Sequence, residues 1–180
     1  MAEPPSPTLT TGPHEVVVVG ADEQTDVDVD VDRWTTLARA ALVDEGAHGE
    51  LTLTFVDREE IAALNLEHLG QPGPTDVLSF PLDVLDAAGA QAGVPTLLGD
   101  VVVCPAVAAD QAAVHAGTID DELALLVVHG VLHVLGHDHA EAGEAEVMRQ
   151  RELDLLQRHH WIGPAPGVFR QTHSDSSGTS

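Results

Sequence analysis

Four of the protein's eleven histidines lie between residues 129 and 139. His129 and His133 are four residues apart, so on a helix their side chains project from one face, about 6 Å apart along the axis. Gly136 allows the chain to leave that helix, and His139 can then fold back toward the first two rings. Three imidazoles that converge and leave a fourth position open are typical of a catalytic zinc site.

The same spacing narrows the chemistry. The pattern H-x-x-x-H-x-x-G-x-x-H matches the long zinc-protease motif, in which a glutamate beside the first histidine is the general base. Gly130 occupies that position, so peptide hydrolysis lacks an obvious base. Metal ligation would satisfy imidazoles whose unpaired burial would cost on the order of a few kcal/mol. We therefore predict metal-assisted hydrolysis, with ligands His129, His133 and His139 and with His137 as a residue of the pocket wall.

Length and composition indicate one globular domain. The chain has 180 residues and a single cysteine, Cys104, which excludes an internal disulfide and suits a reducing compartment. We see no signal peptide and no apolar run near the roughly 20 residues of a membrane span, so we expect a soluble cytoplasmic protein. The net charge of −23, with arginine but no lysine, argues against a nucleic-acid partner unless it reflects a general compositional bias of the host.

Hydrophobic periodicity predicts four strands and five helices. The predicted strands are 15–20, 51–56, 76–80 and 97–104, and the predicted helices are 33–45, 57–68, 105–115, 119–135 and 144–160. Residues 25–32 alternate valine with aspartate and read either as a strand or as a solvated approach to the first helix. The helix at 119–135 is apolar nearly all round, which indicates a buried element.

These elements predict an α+β domain at residues 13–162, with disordered tails at 1–12 and 163–180. Its mixed four-stranded sheet would pack with about five helices around a central metal-bearing helix. Local signals predict helix caps at Asp32, Asp57 and Thr118, with Gly46 just after the first helix. Glu122 is expected to be a solvated acid at a helix start. The last helix is expected to bury four side chains, those of Val147, Met148, Leu153 and Leu156.

A second segment resembles a known family. The stretches GPTDVLSFP (73–81) and LGDVVVCP (98–105), followed by the histidine motif, resemble the YbeY family of single-strand-specific endoribonucleases that mature rRNA. The resemblance covers about residues 51 to 156 and includes Asn65, Gln111 and Met148. It implies one Zn²⁺ per chain at His129, His133 and His139, a cytoplasmic location, and action in 16S rRNA 3′-end maturation and ribosome quality control. The partners that it implies are the single-stranded 16S rRNA precursor and the small ribosomal subunit or its factors, with no DNA and no membrane.

One departure from the family bears on catalysis. Many members carry an arginine after the second helix, proposed to contact RNA or assist catalysis, and Leu69 stands at that position here. Thr75, Asp76 and Ser79 either line the cleft and bind substrate or hold the strand and loop by local hydrogen bonds. Two rival functions stay open: a metallohydrolase acting on peptides or small molecules, which Gly130 disfavours, and a non-catalytic ribosome assembly factor with a structural metal, which Leu69 favours.

Overall fold

The computed structural model describes residues 15–82, 96–137 and 141–171. Within them the strands are β1 (Val16–Asp22), β2 (Gly49–Phe55), β3 (Val77–Pro81) and β4 (Leu97–Val103). The helices are α1 (Val31–Asp44), α2 (Arg58–Leu69), α3 (Pro105–Gln111), α4 (Ile119–Val134) and α5 (Ala142–His159), and a 3₁₀ turn, Ala112–Val114, follows α3. Residues 83–95, between β3 and β4, lie outside the described residues.

The four strands form one mixed sheet in the order β1-β2-β4-β3. β2 pairs in parallel with β1 and β4, and β3 pairs antiparallel to β4. Parallel neighbours need a long crossover, which α1 supplies between β1 and β2. The predicted α+β fold with a mixed four-stranded sheet and five helices is confirmed.

Strand alternation divides the core between the two faces of the sheet. Val101 and Val103 of β4 point into the main core, whereas Val102 points into a smaller cluster with Ile61 of α2. This alternation is the period of two that a strand imposes on its side chains. The main core contains α4, whose residues 123–132 are all buried between the sheet, α1 and α5.

Gly130 brings α4 close to the sheet. A Cβ atom at this position would lie 2.5 Å from Cγ1 of Val101, which is far inside contact distance. Ser79 of β3 closes the same contact, because its hydroxyl donates a hydrogen bond of 3.1 Å to the carbonyl of Gly130. Gly130, which stands where a zinc protease has its glutamate base, therefore also allows α4 to pack closely on β3 and β4.

The helix caps agree with the sequence at two of three positions. Asp57 accepts from the backbone N–H of Glu60 at 2.9 Å, and Thr118 accepts from that of Asp121 at 3.1 Å. The prediction for α1 is wrong, since Asp30 rather than Asp32 accepts from the N–H of Arg33, at 3.3 Å. The helix therefore begins at Val31, two residues earlier than predicted, and residues 25–30 form an irregular approach and not a strand. Gly46 follows α1 with a left-handed φ of 72°, as predicted.

The inward face of α5 was predicted only in part. Met148 and Leu156 are buried and Leu153 is half-buried, but Val147 is 56% exposed, so its predicted burial is wrong. Leu155 and Glu152 take the remaining inward positions. The sequence pattern predicts the wrong inward face in part because Glu152, a charged residue, lies on that face, and charged residues normally indicate the exposed side of a helix.

The chain after α5 packs back onto the domain. The indole N–H of Trp161 donates to Asp121 at 2.9 Å, and the Phe169 ring packs edge-on against Trp161 with centroids 4.8 Å apart. Packed structure therefore continues past residue 162, to Gln171, although the division into one domain and two tails stays a prediction. In the described parts of the chain, no helix is both long and apolar enough to cross a membrane.

Candidate active site

His129 and His133 lie side by side on the C-terminal half of α4. Their ring centroids are 4.5 Å apart and the rings meet edge to face at 75°. His129 is only 6% exposed, and the residues before it on the helix are Leu and Val. The structure thus places the two imidazoles together as their spacing predicts, on a helix held by the sheet beneath it.

Glu152 of α5 holds the ring of His129. Its Oε1 lies 2.8 Å from Nδ1 of His129, and the glutamate is 2% exposed. An ionised carboxylate can only accept, so with Glu152 ionised the Nδ1 N–H of His129 would donate to it and the lone pair of the ring would lie on Nε2. The motifs in the sequence do not identify Glu152. Its signal was an acid midway between two inward apolar residues, four positions after Met148 and four before Leu156.

The third predicted ligand, His139, lies outside the described residues, as does Asp138. Gly136 follows α4 with a φ of 98°, a left-handed conformation that suits glycine, so the chain leaves the helix where the sequence predicts. Among the residues that the structure describes, no group of three or more His, Cys, Asp or Glu side chains is placed to hold a metal ion. The role of His139 as a ligand stays a prediction.

His137 packs against the junction of α1 and α5. Its Nε2 lies 3.6 Å from Oε2 of Glu45, the C-cap residue of α1. Arg151 of α5 pairs with the same carboxylate through its Nε, at 2.8 Å from Oε1. The turn after α4 is therefore tied to two other helices through Glu45. The predicted role of His137 as a wall of the pocket stays a prediction.

Thr75, Asp76 and Ser79 occupy two different places along α4. Ser79 touches Gly130, beside His129. Asp76 is linked to the opposite end of the helix through Gln111, whose amide also donates to Glu122. Asp76 accepts from the backbone N–H of Val77 at 2.8 Å and from the amide of Gln111 at 2.7 Å. Thr75 donates weakly to Asp76 at 3.4 Å. The contacts of Asp76 with Thr75 and Val77 are local, whereas those of Asp76 with Gln111 and of Ser79 with Gly130 join distant parts of the chain. The substrate-binding role of the three residues stays a prediction.

Glu122 is fully buried, so its predicted role as a solvated acid is wrong. The amide of Gln111 donates to one of its oxygens at 2.9 Å, and the N–H of Ala116 donates to the other at 3.2 Å. Burial raises the pKa of Glu122 above its ordinary value of 4.5, against the opposing effect of these two hydrogen bonds. Gln111, which is half-buried like Asp76, thus links Asp76 to the buried Glu122.

With Leu69 at the family's arginine position, a positive side chain for RNA would have to come from another arginine, and the candidates are Arg58, Arg149, Arg151 and Arg158. Three of these four pair with acids. Leu69, at the family's arginine position, ends α2 and is 39% exposed. Arg58 pairs with Asp110 at 2.6 Å, and Arg158 pairs with Asp44 at 3.4 Å. The remaining candidates are Arg151, which pairs with Glu45, and Arg149, whose Nε donates to a carbonyl of its own helix at 3.4 Å.

The residues that the structure describes fit a zinc ion. Neutral imidazole is a preferred zinc ligand, and metal-binding histidines commonly donate their other ring nitrogen to a carboxylate. The contact between His129 and Glu152 is such an arrangement, and His133 stands beside it. The pair would supply two of the three predicted ligands.

Fold and site together define a class: an α+β protein whose central helix presents paired histidines braced by a buried carboxylate. The family profile described as Endoribonuclease YbeY matches residues 20–160. Relatives of that name from Mycolicibacterium vanbaalenii and Kineococcus radiotolerans are 37% and 45% identical, over 86% and 75% of this chain and 86% and 77% of theirs. The solution structure of TM1509 from Thermotoga maritima aligns with a TM-score of 0.55 at 25% identity, over 81% of this chain and 90% of that one. The chain belongs to the endoribonuclease YbeY family.

Proposed function

We propose that this protein is a zinc-dependent endoribonuclease that cuts single-stranded RNA. The chain aligns over most of the length of relatives that are named endoribonuclease, which supports a hydrolase that acts on RNA. The observation that carries the proposal is the pair His129 and His133, in contact at the end of a buried helix and braced by Glu152. Two neighbouring imidazoles, one of them backed by a carboxylate, have the donor chemistry that suits zinc, which supports the proposal.

The residues of the chain divide the work. His129 and His133 would hold the ion with His139, and Glu152 would orient the first of these rings. A bound zinc ion would supply Lewis acidity to a phosphoryl oxygen or activate water. Gly130 leaves no glutamate beside the first ligand, so the protein does not present the base of a zinc protease. This absence disfavours peptide hydrolysis at the same site.

The test is cleavage of a labelled single-stranded RNA by metal-stripped protein, before and after zinc is restored. The stripped protein should be inactive, restored protein should cut, and a duplex of the same sequence should survive. His133→Ala should not cut with zinc present, whereas His48→Ala, at an exposed histidine outside the motif, should match wild type. Equal cleavage by His133→Ala and wild type would contradict the proposal.

The biological step that we propose is maturation of the 16S rRNA 3′ end and ribosome quality control in the cytoplasm, with the small ribosomal subunit or its factors as partners. It rests on the family resemblance and on the preference for unpaired RNA. Purified protein should shorten a 16S precursor that carries a 3′ extension, and His133→Ala should leave it intact. A precursor untouched by a preparation that cuts other single-stranded RNA would contradict this assignment and leave the nuclease proposal standing.

A further inference from the structure

Glu152 is the one buried acid that touches a histidine of the candidate site in the described part of the chain. It lies on α5, 23 residues from His129 in sequence, and is 2% exposed. An acid buried to this extent needs partners for its oxygens, because removing a carboxylate from water is costly. Oε1 meets the ring of His129 at 2.8 Å.

The other oxygen of Glu152 is held by the C-terminal segment. The side-chain amide of Gln171 donates to Oε2 at 3.4 Å, and it also donates to the backbone carbonyl of Arg149 at 3.0 Å. Gln171 therefore links the carboxylate of Glu152 to the backbone of α5, the helix that carries Glu152. Contacts at both oxygens restrain the carboxylate plane, and with it the direction from which the carboxylate can accept a hydrogen bond from the imidazole.

We propose that Glu152 is a positioning residue that sets the tautomer of His129 and strengthens that ring as a zinc ligand. The inference rests on the proposed function and deepens it. A carboxylate that accepts from Nδ1–H places the lone pair on Nε2, the nitrogen that would face the metal, and increases its basicity. The ring is then oriented before the ion arrives, so less ordering is required on binding.

The same contact has a second consequence for the fold around the site. Because α5 supplies Glu152 and α4 supplies His129, the relative position of these two helices decides whether the ring is held. Met148 and Leu156, one turn to either side of Glu152, are buried and keep α5 in this register. Gln171, in the segment after α5, adds a further contact to Glu152.

The first measurement determines the tautomer of His129 in metal-free wild-type protein, so the result does not depend on catalysis. Long-range ¹H–¹⁵N correlation spectra above the pH range in which imidazole titrates should show His129 protonated at Nδ1. The His129 signal is assigned by its loss in His129→Ala. A ring protonated at Nε2 would overturn the proposal, since Glu152 would then not be accepting from Nδ1.

The second measurement is the zinc dissociation constant by competition with a coloured chelator. Glu152→Gln keeps the size and an acceptor oxygen but removes the charge, and it should weaken zinc binding about 10- to 100-fold, the usual effect of losing such a partner. Glu146→Gln makes the same change at an exposed position of α5 and should bind zinc as wild type does. Glu152→Gln that binds zinc as tightly as wild type would overturn the proposal.

These outcomes separate the inference from the proposed function. Wild-type protein that binds no zinc would contradict the proposed function, and the tautomer measurement would still decide the role of Glu152. Melting temperatures of the metal-free variants show whether folding has changed. If Glu152→Gln does not fold, the wild-type tautomer decides alone, because it is read without any substitution at Glu152.

Discussion

Two buried glutamates serve different purposes: Glu122 lies in the first turn of α4, and Glu152 reaches the second half of α4 from α5. Glu152 contacts His129, whereas Glu122 accepts from the amide of Gln111 and the N–H of Ala116 near the start of α4. The environment of Glu122 also contains the carboxylate of Asp76 and the imidazole of His115, whose Nδ1 lies 3.6 Å away. Glu122 therefore belongs to the architecture of the helix, and its titration should appear in stability.

Glu122→Gln should cost the folded protein less as the pH rises. Burial raises the pKa of Glu122 above 4.5, so the folded state keeps its proton where the unfolded chain loses it. The wild type therefore has its full stability from this group below the unfolded pKa and loses it as the pH rises through the folded pKa. Glutamine does not titrate, so the difference in unfolding free energy between the two proteins should narrow from pH 4 toward pH 7. Urea denaturation measures it, and a difference that widens would contradict the burial of the charge.

Gly130→Ala should destabilise the protein by about 1–3 kcal/mol, the usual cost of overpacking. The added methyl would lie 2.5 Å from Val101, and neither the strand nor the helix can easily withdraw. Gly143→Ala is the matched control, because a Cβ there meets nothing within 4 Å and alanine is the better helix former. Chemical denaturation should show the control equal to or more stable than wild type. A neutral Gly130→Ala would mean that α4 is not fixed at this distance from the sheet.

At the scale of the elements, much of the fold follows from sequence because its signals are local. Alternation predicts β2, and the all-round apolar pattern predicts that α4 is central. The failures involve residues whose environment is set by distant contacts. In the sequence, Glu152 and Glu122 resemble surface acids. Glu152 is buried because α5 packs against α4, and Glu122 is buried beneath the turn before α4. The acid at position 152 also hides which face of α5 points inward.

The start of α1 gives a test at this scale. Asp30→Ala should lower the unfolding free energy by about 1 kcal/mol, since it removes the side chain that caps the helix. Asp32→Ala should cost only a few tenths, because Asp32 lies within the first turn and contributes mainly through the helix dipole. The two variants change charge equally, so their difference isolates the cap. Denaturation in which Asp32→Ala is the more harmful change would place the helix start where the sequence alone predicts it.

At the scale of the whole molecule, the dominant fact is a net charge of −23 on a chain that belongs to a family of ribonucleases. All seven arginines lie in the described residues, and several of them are paired with acids. A strongly negative protein repels RNA at long range and cannot gain affinity by releasing counterions from it through a broad basic surface. We therefore expect RNA recognition to depend on short-range contacts.

This charge predicts an unusual dependence on salt. Raising monovalent salt from about 10 mM to about 100 mM shortens the Debye length from about 30 Å to about 10 Å and so screens the repulsion. The KM for single-stranded RNA should fall over that range at constant zinc, whereas a basic nuclease would show the opposite. Initial rates at several RNA concentrations measure it. A KM that rises steadily would show that local positive charge outweighs the net charge.

The proposed function requires that the rate of RNA cleavage depends on zinc bound at the histidines of α4 and of the turn after it. Metal-stripped protein is titrated with zinc while bound zinc and the rate of single-stranded RNA cleavage are measured on the same samples. The rate should rise in proportion to bound zinc and level off at one ion per chain, and His133→Ala should stay inactive throughout. Full cleavage by the metal-free protein would contradict the account.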